Sequence, residues 1–442
     1  IFMDAVLLAR IQFAVNVGFH YIFPPLTFGL TFIIVIIEFL YFKTDLEVYK
    51  KTSTFLVKIL GLVFALGVAT GIVLEFSFGT NWARYSRIVG DIFGAPLAAE
   101  GIFSFFLESV FLGVLLFARN KVSKKVYLIS AILVFVASHL SGLWIIIANS
   151  WMQTPAGFKT IGDKIVLDNF FTAALNHSTL QRYTHTVVGA WMAGSMFVAG
   201  IGSWFLLKKR DLEYAKPLVK IALVLFIAST FLQFGTGHAH AVQVARTQPV
   251  KMAAFEGLWK TKKGAPMSLF GFPDEKNEKT HFEIAIPNLL SWFIKFDGKA
   301  KIDGLDSVPK KDRPPVFMTY MSYHVMIWLG MYFALLSIVG IWLLIKKQIF
   351  EKKWFHKVLL FSIPLPLIAN EVGWMAAEIG RQPWTVYNIL RTKDSISVTV
   401  PAWKIALSLS IFSVIYILLG IMFVKLLVKI IKKGPGKTKL GY

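Results

Sequence analysis

Nine stretches of this chain are each long and apolar enough to cross the roughly 30 Å of hydrocarbon in a bilayer, a distance that takes about 20 helical residues. They cover residues 12–41, 54–79, 96–118, 126–149, 181–207, 218–240, 317–345, 358–378 and 402–431. In lipid every backbone N–H and C=O must be satisfied within the protein, so a spanning segment is either a helix or part of a closed barrel. Barrel strands alternate apolar and polar residues. These stretches run apolar without a break and predict an all-α integral membrane protein of about nine transmembrane helices, with strands not expected.

The placement of charge sets the expected orientation. The chain carries 47 Lys and Arg against 25 Asp and Glu, a net +22, which in a soluble protein would suggest nucleic acid. Here the charges fall in short connections: Lys43, Lys50 and Lys51; Arg119, Lys121, Lys124 and Lys125; Lys208, Lys209, Arg210 and Lys216; Lys346, Lys347, Lys352 and Lys353. The tail adds Lys425, Lys429, Lys432, Lys433, Lys437 and Lys439. With nine alternating helices all of these share one side, and short-loop Lys and Arg mark the cytoplasmic side. The expected topology has the N-terminus outside and the C-terminus in the cytoplasm, with no nucleic-acid partner. Three regions follow: six helices over 1–240, a long outer connection over 241–315, and three helices with a basic tail over 316–442.

The chain has no cysteine. Disulfides, iron–sulfur clusters, Cys-ligated zinc and a thiol nucleophile are thereby excluded, and metal chemistry must rest on His, Met and carboxylates. Ionisable groups inside membrane helices are costly, and a functional site is the default reading for them. With the topology above, His20, Glu75, Glu100, Glu108, His185, Met326, Glu371 and Glu378 are all expected in the outer half of the bilayer. Glu371, Trp374 and Glu378 share one helix face, as do Glu100, Ser104 and Glu108. Each has an ordinary reading by itself: a His near a helix end bonds at the interface, Met326 fills a gap in packing, Glu75 ends a helix. Convergence on one layer is what points to a site.

Longer strings carry a resemblance. Arg10-Ile-Gln-Phe-Ala with His20 beyond it, in a run from Met3 to Thr27, resembles the start of cytochrome bd oxidase subunit I. So do Phe64-Ala-Leu-Gly-Val-Ala-Thr-Gly71, the Glu75 to Trp82 string, Gly90-Asp-Ile-Phe-Gly-Ala-Pro-Leu97 and Phe105-Phe-Leu-Glu108. Ala148-Asn-Ser-Trp-Met-Gln153, the run at His185, Gln248 to Gly257, and Gly380-Arg-Gln-Pro-Trp384 continue the match in the family's order.

The resemblance implies a terminal quinol oxidase of the prokaryotic cytoplasmic membrane that reduces dioxygen to water and generates a proton motive force. It implies three haems between helices in the outer half of the bilayer: a low-spin haem b, a high-spin haem b and haem d. His185 and Met326 look like the axial ligands of the low-spin haem, and His20 and Glu378 like the ligands of the high-spin pair, with Glu100 near His20. Trp374 is similar to a tryptophan packed among the haems, and Arg381 could pair a propionate. The 241–315 connection resembles a quinol-binding loop in its short form, with Lys251 and Glu256 tied to quinol oxidation. Glu108 and Ser141 would carry protons from the cytoplasm. Partners implied are a second large subunit and small single-helix subunits.

Two positions depart from the family pattern. His324 stands two residues before Met326, where an Arg is expected, so a bis-His haem through His185 and His324 stays open. Residues two apart on a helix point about 200° apart, so His324 and Met326 cannot both face one iron. His238 and His240 stand where an acid is expected at the first position. Two rival readings remain: an ion-coupled transporter, and a cyanide-insensitive relative lacking haem d.

Overall fold

The computed structural model describes residues 4–162 and 164–438, so Met3 and Lys439 lie outside the described residues. Among the described residues nine helical spans are long and apolar enough to cross a membrane: Ala5–Thr44, Glu47–Gly79, Ala83–Phe117, Lys124–Gln153, Thr179–Leu207, Leu212–Thr247, Val316–Ile345, Lys353–Ile379 and Ala402–Lys433. The number matches the sequence expectation, while several spans extend well past it.

Three spans are interrupted, each for a local reason. The first breaks into Ala5–His20 and Phe23–Thr44, with Pro24 and Pro25 opening the second piece. Proline tolerates only the first turn of a helix, so His20 is left as the last residue before the break. The third span holds Pro96 inside its first piece, Ala83–Ala99, followed by a π-helical turn over Glu100–Phe105 and then Phe106–Phe117. A proline removes an amide donor and crowds the preceding carbonyl, and π turns of this kind gather at functional positions. The eighth span breaks between Lys353–Phe361 and Leu365–Ile379, with Pro364 and Pro366 at the joint.

Packing centres on the fifth span, whose small residues let its neighbours approach. A Cβ at Gly29 of the first span would lie 2.5 Å from Gly194 Cα of the fifth, and one at Gly202 would lie 2.8 Å from Val219 of the sixth. Lipid tails are as apolar as leucine, so helices associate through close packing of this sort. Replacing Gly194 by Val forces backbone against backbone and is expected to destabilise by about 3 kcal/mol. A thermal melt of the solubilised protein checks this, and an unchanged melting point would contradict the close crossing. At the basic end, a buried Glu38–Arg119 ion pair joins the first and third spans, with the guanidinium 4.1 Å from the Tyr127 ring centre.

The spans are helical, as expected, and among the described residues strands occur only in the connections outside them. Four two-stranded antiparallel sheets occur in the connections. They pair β1 (Phe158–Ile161) with β2 (Lys164–Leu167), β3 (Lys262–Lys263) with β6 (Lys301–Ile302), β4 (Met267–Asp274) with β5 (Lys279–Ile286), and β7 (Trp384–Val386) with β8 (Leu390–Arg391). The 241–315 connection is a folded cap. The sixth span runs on to Thr247, a short helix Pro249–Phe255 follows, and the β4–β5 hairpin packs against the seventh span. The cap has its own apolar core, with Met252, Ala253, Ala254, Leu290, Ile294 and Leu305 buried.

Candidate functional site

Depth follows from counting residues from the basic end of each span at 1.5 Å per residue. His20, Glu75, His185, Met326 and Glu378 stand about 28 Å or more from that end, and Glu100 and Glu371 about 26 Å. Against a layer of roughly 30 Å these lie at or near the surface opposite the basic end. Glu108 does not. It is about 14 Å from the basic end of the third span, in the half nearer that end, because that helix ends at Phe117 and its extra length lies on the opposite side, back to Ala83.

His185 packs against the sixth span. Its Nδ1 is 3.3 Å from Thr236 Oγ1, Gln233 Nε2 is 3.4 Å from its Nε2, and a Cβ at Gly237 would stand 3.3 Å from its ring. The His240 ring centre is 5.5 Å from that of His185. Met326 is met by the eighth span, where a Cβ at Gly373 would lie 2.8 Å from its Sδ. One turn earlier, Asn370 Nδ2 donates to the Gly189 carbonyl at 3.3 Å, one turn along the helix from His185. The eighth span thus touches the surroundings of both residues, meeting Met326 at Gly373 and the helix of His185 through Asn370, while the room at the His185 ring comes from Gly237 of the sixth span.

His324 is turned elsewhere. Its Nδ1 lies 3.0 Å from the Tyr320 carbonyl and its Nε2 3.1 Å from the Ser268 carbonyl of β4, and its ring stacks on Tyr320 at 3.8 Å. Both ring nitrogens face backbone oxygens, so the bis-His alternative loses its second ligand. His238 also leaves the membrane interior, packing edge-on against Phe293 of the cap at 4.4 Å.

His20 approaches Thr70 of the second span, Nδ1 to Oγ1 2.9 Å, with Gly71 clearing its ring. Glu371 reaches toward the same place, with Oε2 3.7 Å from where a Cβ on Gly18 would be. Outward of His20, Asn16 donates to Ser77 at 3.2 Å, while Asn16 Oδ1 is buried without a partner. Glu100 accepts from Ser141 at 2.8 Å. Glu108 is buried one turn beyond Ser104, whose hydroxyl is also buried and unpartnered.

The most charged part of the interior surrounds Glu378. Asn149 and Gln153 each donate to its Oε1 at 3.0 Å, and Arg381 meets Oε2 at 2.5 Å. Gln153 Oε1 in turn accepts from Lys251, whose stem rests against Gly380. Arg182, one turn from His185, completes the cluster. Arg182, Lys251 and Arg381 are 5%, 2% and 5% exposed, so three basic groups are buried about one carboxylate. Burial, with Arg182 and Arg381 nearby, holds the Lys251 ammonium well below the usual lysine range. Trp374 is half-buried on the same helix as Glu378. Asn149, Gln153 and Arg182 were not singled out from the sequence, although 149 and 153 are one turn apart and 182 and 185 share a face.

Lys251 and Glu256 sit on opposite sides of the helix they flank. Lys251 faces Gln153 and Glu378, while Glu256 faces the hairpin and accepts the Ser268 amide at 3.0 Å. Glu256 is 4% exposed, and burial pushes its carboxyl up to about 8, opposed by the Ser268 amide and reinforced by Glu283.

These residues fit porphyrin-borne iron. Among the described residues no cluster of three or more His, Asp or Glu could hold a bare metal ion, while single ligands with one or two protein contacts per iron are what haem takes. Buried polar atoms rarely go unpaired, yet Arg182 Nε, Arg381 Nη1, His240 Nε2 and Glu371 Oε1 all do. Two of these are guanidinium donors, which suit the carboxylates that a haem carries.

The sequence profile of cytochrome bd terminal oxidase subunit I matches residues 8–435. The chain is 37% identical over 445 residues to the cytochrome bd ubiquinol oxidase subunit 1 of Bacillus subtilis, covering 98% of this chain and 94% of that one. It is 32% identical over 500 residues to the cytochrome bd-II ubiquinol oxidase subunit 1 of Escherichia coli, covering 98% and 97%. Its structure is similar to the bd oxidase of Geobacillus thermodenitrificans, with a TM-score of 0.92, 26% identity, and 98% and 99% of the two chains covered.

Proposed function

The chain belongs to the cytochrome bd terminal oxidase subunit I family, and from that premise we propose that it oxidises quinol at the outer face and supports reduction of dioxygen to water. It is an integral membrane oxidoreductase of a haem-containing, multi-subunit family of terminal quinol oxidases. The bound haems supply the electron path from quinol to dioxygen. His185 and Met326 would hold the low-spin haem b; His20 and Glu378 would hold the high-spin haem b and haem d, with Glu100 near the first. The observation that carries this reading is the buried set Arg182, Lys251 and Arg381 around Glu378, with guanidinium donors unpaired. A buried charge left alone costs several kcal/mol, and propionate carboxylates would complete both arginines.

The chain's own groups divide the remaining work. Glu256 accepts a proton from quinol in the cap, and the charge of Lys251 orients toward Gln153 and the Glu378 cluster. Glu108, nearer the basic end of its span, and Glu100 with Ser141 would pass cytoplasmic protons on toward the outer layer. Protons taken from inside and released outside generate a membrane potential without a pump. Basic connections place the C-terminus in the cytoplasm, and a second large subunit with small single-helix subunits completes the complex. Membership of this family removes the ground for a transporter.

The test is spectroscopic. In the purified complex, Met326→Ala is expected to lose the low-spin haem absorbance, while His324→Ala keeps it. The reverse pattern would overturn the ligand assignment.

A further inference from the structure

We propose that Glu283 is the second carboxylate of the quinol site, taking on the outer side the protons that Glu256 receives from quinol. The proposal rests on the reading of Glu256 given above and goes one residue further. Glu256 lies under the hairpin, closed off from water, with its Oε2 on the Ser268 amide at 3.0 Å. The Ser268 hydroxyl is itself buried and pairs with the Tyr320 hydroxyl at 2.7 Å. Glu283 stands beside that same Ser268 hydroxyl, on the neighbouring strand β5, and its side chain reaches the surface.

Gly271 makes the approach possible. A Cβ there would lie 3.2 Å from the Tyr320 hydroxyl and 3.5 Å from Glu283 Cα, so the missing side chain lets the tyrosine and β5 close over one point. Gly257, beside Glu256, does the same on the inner side: at φ +60° its absent Cβ would stand 3.4 Å from the Tyr320 ring. The Tyr320 side chain therefore runs from Glu256's neighbour to Glu283's strand. The other polar groups here are Tyr323, which faces Glu256, His324 on the Ser268 carbonyl, Lys262 near Glu283, and the Thr280 hydroxyl of β5, which lies against Gly257 and accepts from the Trp259 indole at 3.1 Å. An exposed strand glutamate is ordinarily just solvated; the hydroxyl pair leading inward to a buried acid sets this one apart.

The transfer balances. Quinol gives two electrons to the oxidase's redox centre and sheds two protons in turn. Each proton goes to the Glu256 carboxylate, then through the Tyr320 and Ser268 hydroxyls to the Glu283 carboxylate, and then to outer water. Each hydroxyl releases the proton it carries as it takes another, so both end unchanged. Burial raises the Glu283 carboxyl as well, and its charge raises Glu256 further.

The experiment compares Glu283→Gln, Glu283→Asp and Glu256→Gln in the purified complex, with decylubiquinol as donor and oxygen uptake as the rate. Glu283→Gln is expected to lower kcat roughly ten-fold, to leave the quinol KM within about two-fold and the haem spectrum unchanged, and to recover on adding a small weak-acid buffer that reaches the hydroxyl pair. Glu283→Asp should keep most of the rate. If Glu256→Gln is crippled while Glu283→Gln matches the unsubstituted protein, the relay is wrong and the quinol site stands. If Glu256→Gln is fully active, the quinol-site reading fails first. A slow Glu283→Gln that no buffer restores means a structural role and also overturns the relay.

Discussion

His185→Ala is expected to abolish the low-spin haem b absorbance of the purified complex and, with it, quinol-driven oxygen uptake. The side chain is enclosed by the sixth span, with Thr236 and Gln233 within 3.4 Å and Gly237 leaving its ring free. Without the imidazole, Met326 would be the one protein ligand left to hold the low-spin haem, and a lone thioether holds haem iron poorly. Helix packing should survive, since alanine suits a helix interior and the contacts of Gly189 and Gly194 are untouched. The checks are a reduced-minus-oxidised spectrum and an oxygen electrode. A variant that keeps the low-spin signal, or loses it only because no protein accumulates, does not support the assignment; the second case is separated by a melt of the complex and by Thr236→Val, which should weaken the orientation of His185 while retaining haem.

Glu256→Gln should slow quinol oxidation by about 100-fold, the usual scale for losing a positioned proton acceptor. Only the carboxylate can accept the proton. With its carboxyl at about 8, that form fills in as pH rises through this value, so the rate in the unsubstituted protein should climb through about pH 8, where it is half-maximal, and level off only above that. In Glu256→Gln that limb should disappear, leaving a low, flat rate. A pH profile of oxygen uptake decides it. An unchanged rising limb would mean another group sets it.

The sequence showed the membrane architecture because lipid leaves so few choices: nine apolar runs of that length are helices. Helix ends were harder to read. The third span begins at Ala83, not near 96, because Arg84, Arg87 and Asp91 lower its hydropathy where the helix has already left the hydrocarbon. That extension is on the side away from the basic end, so Glu108 belongs to the half nearer the basic end. The cap looked like an irregular connection, although residues 279–286 alternate in strand fashion after the turn at Asp274. Local alternation is a weak signal when tertiary contacts with the seventh span are what hold the hairpin.

Candidate site residues were legible as costly groups in unlikely places, and His20, His185, Met326 and Glu378 all stand far from the basic ends of their spans. The partners that organise them were not. Asn149 and Gln153 come from the fourth span to Glu378 on the eighth, and no spacing within one segment reveals a meeting across more than two hundred residues. The clearance at Gly71, Gly237 and Gly373 is likewise visible only once the opposing helix is in place. Glycine in a membrane helix reads first as a packing residue; here three of them face an imidazole or a thioether.

An experimental density map of the purified complex tests the central claim most directly. The account predicts three porphyrins in the outer half of the membrane: iron bonded by His185 and Met326 in one, by His20 and by Glu378 in the others, and carboxylates on Arg182 and Arg381. Side chains turned toward a water-filled cleft with no porphyrin between them would contradict it.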